Sequence, residues 1–322
     1  MKKALVVGIN DYPTAPLRGC VNDAQAVADI IAANSDGSPN FDARVLVNVS
    51  TKSELKSRIS DLFYGPSEAA LLYFSGHGYI DDVGGYVVTP DFSPHDMGVS
   101  MDEILTIVNA SKANNRIVIL DCCYSGALGS PRVTGGQSAQ ISEGVTLLTA
   151  SRDSEPAMEM NGHGVFTNLL LDSLAGGAAD LTGNITPGSV YAYIDQALGP
   201  WDQRPIFKTN ISRFFSLRSV IPQVPVAMLR QLISYFPTSD AGFPLDPSFE
   251  DTNSPQVVHH VSEPYARVEN VAKFKALQKF ASVGLVRPEG EEHMYFAAMH
   301  SKSCKLTALG HHYWRLVKDR RI

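Results

Sequence analysis

The sequence predicts a three-layer α/β fold with a mostly parallel central sheet, followed by a small second domain. Short β-rich apolar runs alternate with helix-length amphipathic segments as far as residue 220. Continuous apolar strands separated by helices are typical of a parallel sheet that is covered on both faces. Pro222 and Pro225 then interrupt this alternation, which places a domain boundary there.

The chain has 322 residues, a length that suits two domains better than one. We predict these domains over residues 1–222 and 223–322. The first carries 15 basic and 23 acidic residues, a net charge of −8, whereas the second carries 12 and 10, a net charge of +2. This difference predicts two surfaces with different partners.

Apolar and amphipathic patterning predicts six strands and five helices in the first domain. The predicted strands are Ala4–Ile9, Arg44–Val49, Ala69–Phe74, Arg116–Asp121, Thr146–Ala150 and Arg213–Leu217. The predicted helices are Cys20–Ala33, Lys52–Phe63, Met101–Ala110, Val165–Leu174 and Pro187–Leu198. Two long segments, 81–100 and 124–144, show no regular period, and loops of this length in a compact domain are functional or disordered.

The second domain is predicted to be a small α+β module. Its predicted elements are a helix over Val226–Phe236, a loop over 237–256, a helix over Val268–Val283, a hairpin from 293–299 and 304–306, and a final helix capped by Thr307. This order of elements resembles a winged-helix module.

Composition excludes several classes of protein. Four cysteines, at 20, 122, 123 and 304, are too few and too irregular for a disulfide framework. The first apolar run has six residues, too short for a signal peptide, and no run is long enough for a membrane span. We therefore expect a cytoplasmic protein without a membrane partner.

Sites for metals and phosphates are not predicted. Cys304, His163, His259 and His260 lack the spacing of metal ligands, so we interpret them as surface or packing residues. The chain has neither the arginine of a phosphatase loop nor a glycine-rich phosphate cradle.

Two predicted strands end in polar stretches, SGHG at 75–78 and DCCYSG at 121–126. The carboxyl ends of parallel strands meet at one edge, where ligand sites form. Because strand side chains alternate between two faces, Ser75 and His77 share a side if the strand stays extended. Asp121 and Cys123 share a side likewise, while Cys122 points into packing.

A thiol beside an imidazole suits nucleophilic catalysis. The Cys123 thiolate would attack a carbonyl carbon while His77 donates a proton to the leaving amine. The N–H groups of Gly78 and Cys123 would stabilise the oxyanion. A lone histidine between glycines is more often a turn residue, and the matching cysteine favours the catalytic interpretation.

Four stretches in this order resemble the caspase-like cysteine peptidases, and within them the metacaspase branch with its Asp-x-Cys-x-Ser-Gly pattern. Besides the two stretches above, these are GINDYPTAPLRGCVNDA (8–24) and LTASRDSEPAMEMNGHGVFTNLLLDSL (148–174). The resemblance covers about residues 1–220. It implies a caspase-like three-layer sandwich, cysteine endopeptidase activity and a nucleophile at Cys123.

The resemblance also implies a specificity pocket lined by Cys20, Asp23, Ser75 and Asp121. Two carboxylates facing a narrow pocket would hold a guanidinium, so we predict cleavage of proteins after Arg and also Lys. Each of these residues also has a purely structural interpretation. Asp23 would equally stabilise the first turn of its helix, Asp121 would cap a turn, and Cys20 and Ser75 would be packing residues. Arg18, near the same loop, keeps aspartate specificity open.

Two further expectations come from the family. Many metacaspases bind calcium in the loop after the histidine strand, but the acids there, Asp81, Asp82, Asp91 and Asp96, do not match the family spacing. We therefore expect no cofactor, and calcium is the alternative that the resemblance leaves open. Chains of the family are commonly cut after the nucleophile strand. Arg132 is the single basic residue within 124–144 and is the predicted processing site, for this enzyme or an upstream peptidase.

The second domain leaves two partner classes open. Residues 264–322 contain 11 Lys and Arg against 5 Asp and Glu, which suits nucleic-acid binding as well as protein docking. Attachment to a peptidase favours docking or regulation. The resemblance places such enzymes in regulated proteolytic or antiphage-defence cascades. The alternative function is a catalytically quiet caspase-fold scaffold whose second domain binds DNA or a protein partner.

Overall fold

The structure is a computed structural model of the whole chain. It describes residues 1–82, 84–94, 96–122, 141–150, 159–160, 163–199, 204–256 and 261–322. The chain divides into two compact units, Met1–Ile221 and Pro222–Ile322. Within the described residues, no helix is both long and apolar enough to cross a lipid bilayer.

The described part of the first unit contains thirteen strands and five α-helices. The strands are β1 (Lys2–Gly8), β2 (Phe41–Val47), β3 (Ala69–Ser75), β4 (Gly78–Ile80), β5 (Gly85–Ser93), β6 (Asp96–Ser100), β7 (Asn115–Asp121), β8 (Val145–Thr149), β9 (Glu159–Met160), β10 (His163–Gly164), β11 (Asn184–Ile185), β12 (Ile206–Asn210) and β13 (Arg218–Ser219). The helices are α1 (Cys20–Ala32), α2 (Lys52–Phe63), α3 (Met101–Ala110), α4 (Val165–Asp172) and α5 (Pro187–Leu198). A π-helical turn, Ser173–Gly177, continues α4.

Six of the described strands form the central sheet in the order β12-β8-β7-β3-β1-β2. All neighbours are parallel except β12, which runs antiparallel to β8. Every residue of β3 and β8 is buried, as expected of strands covered on both faces. One core cluster packs the sheet against α2 and α3, and another packs it against α1, α4 and α5. The predicted three-layer fold is therefore confirmed.

The sixth predicted strand is wrong. The sheet ends with β12 at 206–210 rather than with residues 213–217. Phe215 and Leu217 are buried, with 7% and 2% of their surfaces exposed, but they pack on the core from an irregular segment. Phe215 and Leu217 are apolar because they are buried in the core, not because they belong to a strand.

The interpretation of residues 81–100 as an irregular loop is also wrong. Strands β4, β5 and β6 form a small antiparallel sheet there. The turn that joins β4 to β5 is closed by Asp81, whose carboxylate accepts a hydrogen bond from the Gly84 N–H at 2.8 Å. Segment 124–144, the other predicted loop, lies outside the described residues up to position 140.

The described part of the second unit contains three strands and five α-helices. They are α6 (Val226–Leu229), α7 (Leu232–Tyr235), β14 (Phe243–Pro244), α8 (Val268–Ser282), β15 (Val286–Pro288), α9 (Met294–Met299), β16 (Ser303–Leu306) and α10 (Ala308–Lys318), with a 3₁₀ turn at Pro247–Phe249. The strands form an antiparallel sheet in the order β14-β16-β15. The winged-helix resemblance stays a prediction.

Two predictions for the second unit are wrong, whereas the helix predicted over 268–283 and the final helix are confirmed. The helix expected over 226–236 is divided into α6 and α7, and the strand expected at 293–299 is the helix α9. In α9 the buried residues Met294, Ala297 and Ala298 are three and four positions apart, a helical spacing hidden in a short apolar run. The final helix begins after Thr307, whose hydroxyl accepts from the Gly310 N–H at 3.0 Å.

Candidate active site

The carboxyl ends of β1, β3 and β7 lie side by side. Gly8 is in register with Ser75, and Ser75 is in register with Asp121. A Cβ atom on Gly8 would lie 2.2 Å from the carbonyl oxygen of Cys20, so glycine lets the start of α1 close against the end of β1. This contact brings Asp23, in the first turn of α1, next to the row of strand ends.

His77 is held through both its ring and its backbone. Its Nε2 lies 2.7 Å from the carbonyl oxygen of Ala15, and its ring packs edge-on against Tyr12 with centroids 4.5 Å apart. The Tyr12 hydroxyl accepts from the His77 N–H at 3.0 Å and donates to the Val88 carbonyl oxygen at 3.3 Å. Burial raises the pKa of Tyr12, which keeps this hydroxyl protonated.

The Ala15 contact fixes which ring nitrogen of His77 carries a proton. A carbonyl oxygen can only accept a hydrogen bond, so Nε2 must be the donor. In the neutral ring Nδ1 is then the basic nitrogen, able to exchange a proton with another group.

The expectation that Ser75 and His77 share one side of an extended strand is wrong. Strand β3 ends at Ser75, and the chain bends at Gly76, whose N–H donates to the Asp121 carbonyl oxygen at 3.3 Å. A Cβ atom on Gly76 would lie 2.6 Å from the Tyr12 hydroxyl oxygen. Glycine therefore permits the bend, and the two side chains meet different neighbours.

The N–H group of Gly78, a predicted oxyanion donor, points away from its partner strand. The Val88 N–H donates to the His77 carbonyl oxygen at 2.9 Å, and Gly78 is opposite Val87 in the ladder. In an antiparallel ladder this pattern marks a non-hydrogen-bonded pair, in which both N–H groups face outward. The geometry is thus compatible with donation to a ligand.

Asp23 is the centre of a buried polar cluster and is 2% exposed. Its Oδ2 accepts hydrogen bonds from the Ser75 hydroxyl at 3.0 Å and from the Gly164 N–H at 3.4 Å. Its Oδ1 lies 2.7 Å from Nδ1 of His163. These partners lie on other elements, which favours a role in the cluster over one confined to α1. Burial raises the pKa of Asp23, against the lowering effect of these hydrogen bonds.

Asp121 is the second buried carboxyl group and is 6% exposed. The Thr167 hydroxyl donates to its Oδ2 at 2.6 Å, and the Tyr73 hydroxyl lies 2.5 Å from that of Thr167. Burial raises the pKa of Asp121 to about 7; the Thr167 hydrogen bond opposes this shift and the Asp23 charge adds to it. Asp121 is therefore partly protonated near neutral pH.

Gly164 lies between the two carboxyl groups. A Cβ atom on this glycine would lie 2.7 Å from Oδ2 of Asp121 and 3.6 Å from Oδ2 of Asp23. The site therefore brings two carboxyl groups close to one small residue. Two buried like charges this close favour a bound proton or a bound cation.

The remaining predicted site residues divide into two groups. Cys20 and Cys122 are buried, with 8% and 2% exposed, and Cys122 belongs to the core cluster, as predicted from strand alternation. Cys123 and Arg132, the predicted nucleophile and processing site, lie outside the described residues, as do His259 and His260.

Three of the four acids considered for calcium have other partners, and the partner of Asp81 is the Gly84 N–H. Both carboxylate oxygens of Asp91 lie 3.1 Å from the Lys52 backbone nitrogen, and Asp96 pairs with the Lys52 ammonium at 2.8 Å. In the described part of the chain, no group of three or more His, Cys, Asp or Glu side chains comes together as a metal site.

Sequence reasoning missed His163, which we had interpreted as a surface or packing residue. Its side chain is 26% exposed and bonds to the carboxylate of Asp23. A signal was available, because the Gly-His-Gly of 76–78 recurs at 162–164. The Gly-His-Gly at 162–164 does not follow a predicted strand, so the sequence alone did not place it at the edge of the sheet where the site forms.

Comparison with known proteins identifies the family. The model of the caspase domain family matches residues 1–215, more than half of the chain. The chain belongs to the caspase family. It is accordingly a cysteine peptidase, and its substrates are proteins.

Solved structures resemble this caspase-family chain in fold. Protein GSU0716 from Geobacter sulfurreducens is 18% identical, with a TM-score of 0.50 over 69% of this chain and 98% of that chain. Caspase-1 from Spodoptera frugiperda is 13% identical, with a TM-score of 0.46 over 68% of this chain and 88% of that chain. A comparison with curated protein sequences finds no match.

Proposed function

We propose that this caspase-family peptidase cleaves proteins after arginine, and also after lysine, through a Cys123–His77 dyad, as metacaspases do. One observation carries the proposed specificity: the buried carboxyl groups of Asp23 and Asp121 both lie close to Gly164, next to the strand ends that precede His77 and Cys123. A guanidinium offers five N–H donors in a planar fork and suits two carboxylates. An aspartate side chain would instead meet two further acids.

The charge state of Asp121 supports a basic substrate. Burial raises the pKa of this carboxyl group to about 7. A guanidinium would favour the ionised form, so binding would release a proton from Asp121 below neutral pH. The hydrogen bond from Thr167 would hold the carboxylate in place.

The proposed chemistry uses the geometry around His77. With Nε2 donating to Ala15, Nδ1 takes the proton from the Cys123 thiol and returns it to the leaving amine. The thiolate attacks the scissile carbonyl carbon, and the carbon–nitrogen bond breaks to leave an acyl-enzyme that water hydrolyses. The outward N–H of Gly78, with that of Cys123, stabilises the oxyanion.

An assay with peptides that differ only at the P1 side chain tests the proposal. We expect the unaltered enzyme to cleave the Arg peptide best and the Lys peptide next, with little cleavage of Asp or of citrulline, the uncharged analogue of arginine. The Cys123→Ala variant is the control and should cleave none. Preference for Asp over Arg would overturn the specificity, and full activity of the control would overturn the nucleophile.

Activation by cleavage at Arg132 belongs to the same proposal, because an enzyme with this specificity has one target in 124–144. We expect mass spectrometry of the active enzyme to show a chain cut after Arg132. The Arg132→Ala variant should stay intact and activate poorly. An uncut active enzyme, together with normal activation of the variant, would show that processing there is not the switch.

The second unit is proposed to regulate or target the peptidase through protein docking, within a proteolytic or antiphage-defence cascade. Its excess of basic side chains late in the chain supports an interaction surface. The scaffold alternative predicts salt-sensitive DNA binding by residues 223–322 and no peptide cleavage by the full chain.

A further inference from the structure

We propose that His163 is a built-in occupant of the arginine pocket: without substrate its imidazole holds Asp23, and the substrate side chain must displace it. This inference rests on the proposed function, because the pocket is the one assigned there to the P1 side chain. It adds a residue that sets how tightly the pocket binds a basic side chain.

The imidazole of His163 occupies the position beside Asp23 that the cationic group of a substrate would take. Its Nδ1 lies 2.7 Å from Oδ1 of Asp23, while the other carboxylate oxygen accepts from Ser75 and Gly164. Because a carboxylate oxygen accepts, Nδ1 carries a proton and donates it. A guanidinium that approaches Asp23 needs that same oxygen. The imidazole and the substrate therefore compete for one acceptor.

Among the partners of Asp23 that the structure describes, His163 is the one that can leave. The Ser75 side chain is 2% exposed on the central strand β3, and Gly164 contributes a backbone N–H. The imidazole is 26% exposed, so it already reaches solvent. Displacement exchanges one charge-assisted hydrogen bond for another and leaves the Asp23 carboxylate bonded throughout.

The substrate side chain must replace the contact that it displaces. A neutral or acidic side chain that displaced the imidazole would leave Asp23 buried without a cationic partner, which is costly. An arginine or lysine side chain replaces the lost hydrogen bond and brings a fixed positive charge. The cost of displacing the imidazole is the same for every occupant, so His163 lowers the affinity of the pocket while the carboxyl groups set its preference for positive charge.

Binding of an arginine peptide to the full chain tests the inference without catalysis. In a Cys123→Ala background, we would measure fluorescence anisotropy of labelled Arg and citrulline peptides. We expect His163→Ala to bind the Arg peptide about threefold to tenfold tighter, which corresponds to the net contribution of one hydrogen bond. His163→Gln, which keeps an N–H donor beside Asp23, should gain less affinity than His163→Ala.

A matched control comes from another histidine–carboxylate pair. His300 lies with Nδ1 2.8 Å from Oε1 of Glu291 in the second unit, so His300→Ala removes a similar contact away from the pocket and should leave both affinities unchanged. Melting curves show whether each variant is folded.

Each outcome of the binding series separates the hypotheses. Weaker Arg binding by His163→Ala would show that the histidine positions Asp23 for the substrate, and equal binding by the variant and the parent chain would show that the histidine does not compete. Either result overturns the inference while a preference for Arg over citrulline sustains the proposed function. Loss of that preference in the chain with His163 intact would overturn the proposed specificity and this inference together.

Discussion

Peptide cleavage is expected to disappear in the Cys123→Ala variant and to fall by a factor of about 10²–10⁴ in His77→Ala, the usual contribution of a general acid–base residue. The first variant has no nucleophile, so no acyl-enzyme can form. The second lacks the ring that Ala15 and Tyr12 hold at the end of β3. Initial rates on the Arg peptide at equal enzyme concentration measure both effects.

The neighbouring cysteine supplies the matched control. Cys122 is 2% exposed and packs in the core cluster, so Cys122→Ala removes a small buried side chain and costs about 1 kcal/mol of stability. This variant should keep most of its activity. An inactive Cys122→Ala variant beside an active Cys123→Ala variant would show that the nucleophile is one residue earlier than proposed.

Helix boundaries were predictable where the signal is local. Residues 52–63, 101–110 and 187–198 were predicted to the residue. Each of these helices follows a capping side chain: Thr51, Ser100 or Thr186 accepts a hydrogen bond from a backbone N–H of the first turn. Such caps are encoded within four residues and need no tertiary partner.

Elements that depend on distant partners were not predictable in the same way. The strand at 206–210 exists because it pairs with β8, some sixty residues earlier, and its own residues are only partly buried. The sheet of β4, β5 and β6 arises from pairing among three short segments. The pattern of apolar residues predicts which side chains are buried, but it does not predict which backbone segments form hydrogen bonds with each other.

The same distinction between local and distant signals holds for the candidate site. The two strand ends and the family resemblance predicted that Ser75, Asp121 and Asp23 lie near one another. The contact between His163 and Asp23 spans 140 positions, and that between Thr167 and Asp121 spans 46. Neither follows from a local pattern, because each depends on how β10 and α4 return to the sheet edge.

Replacing Asp121 with asparagine is expected to remove most of the preference for arginine. Asp121→Asn keeps an oxygen that accepts from the Thr167 hydroxyl but loses the charge that would pair with the guanidinium. Loss of one desolvated partner of an ion pair costs about 2–5 kcal/mol, or a factor of about 30 to several thousand in kcat/KM. Asp23→Asn should show a loss of similar size. The ratio of kcat/KM for Arg to that for citrulline measures this loss, since the titration of the dyad affects both peptides alike.

The pH dependence distinguishes loss of charge from general damage to the site. Because the pKa of Asp121 is about 7, its ionised form dominates at pH 8 and its protonated form at pH 5.5. The Arg-to-citrulline ratio of the unaltered enzyme should therefore fall as the pH is lowered, and the deficit of Asp121→Asn should shrink with it.

Stability should respond in the opposite direction. A raised pKa in the folded state means that the protonated carboxyl group contributes stability below about pH 4, and that this contribution is lost as the pH rises through 7. Asparagine does not ionise, so Asp121→Asn should melt higher than the unaltered chain at pH 8 and close to it at pH 4. A variant that melts lower at pH 8 would show that the ionised carboxylate stabilises the fold. An unchanged Arg-to-citrulline ratio in a well-folded variant would remove Asp121 from the specificity pocket.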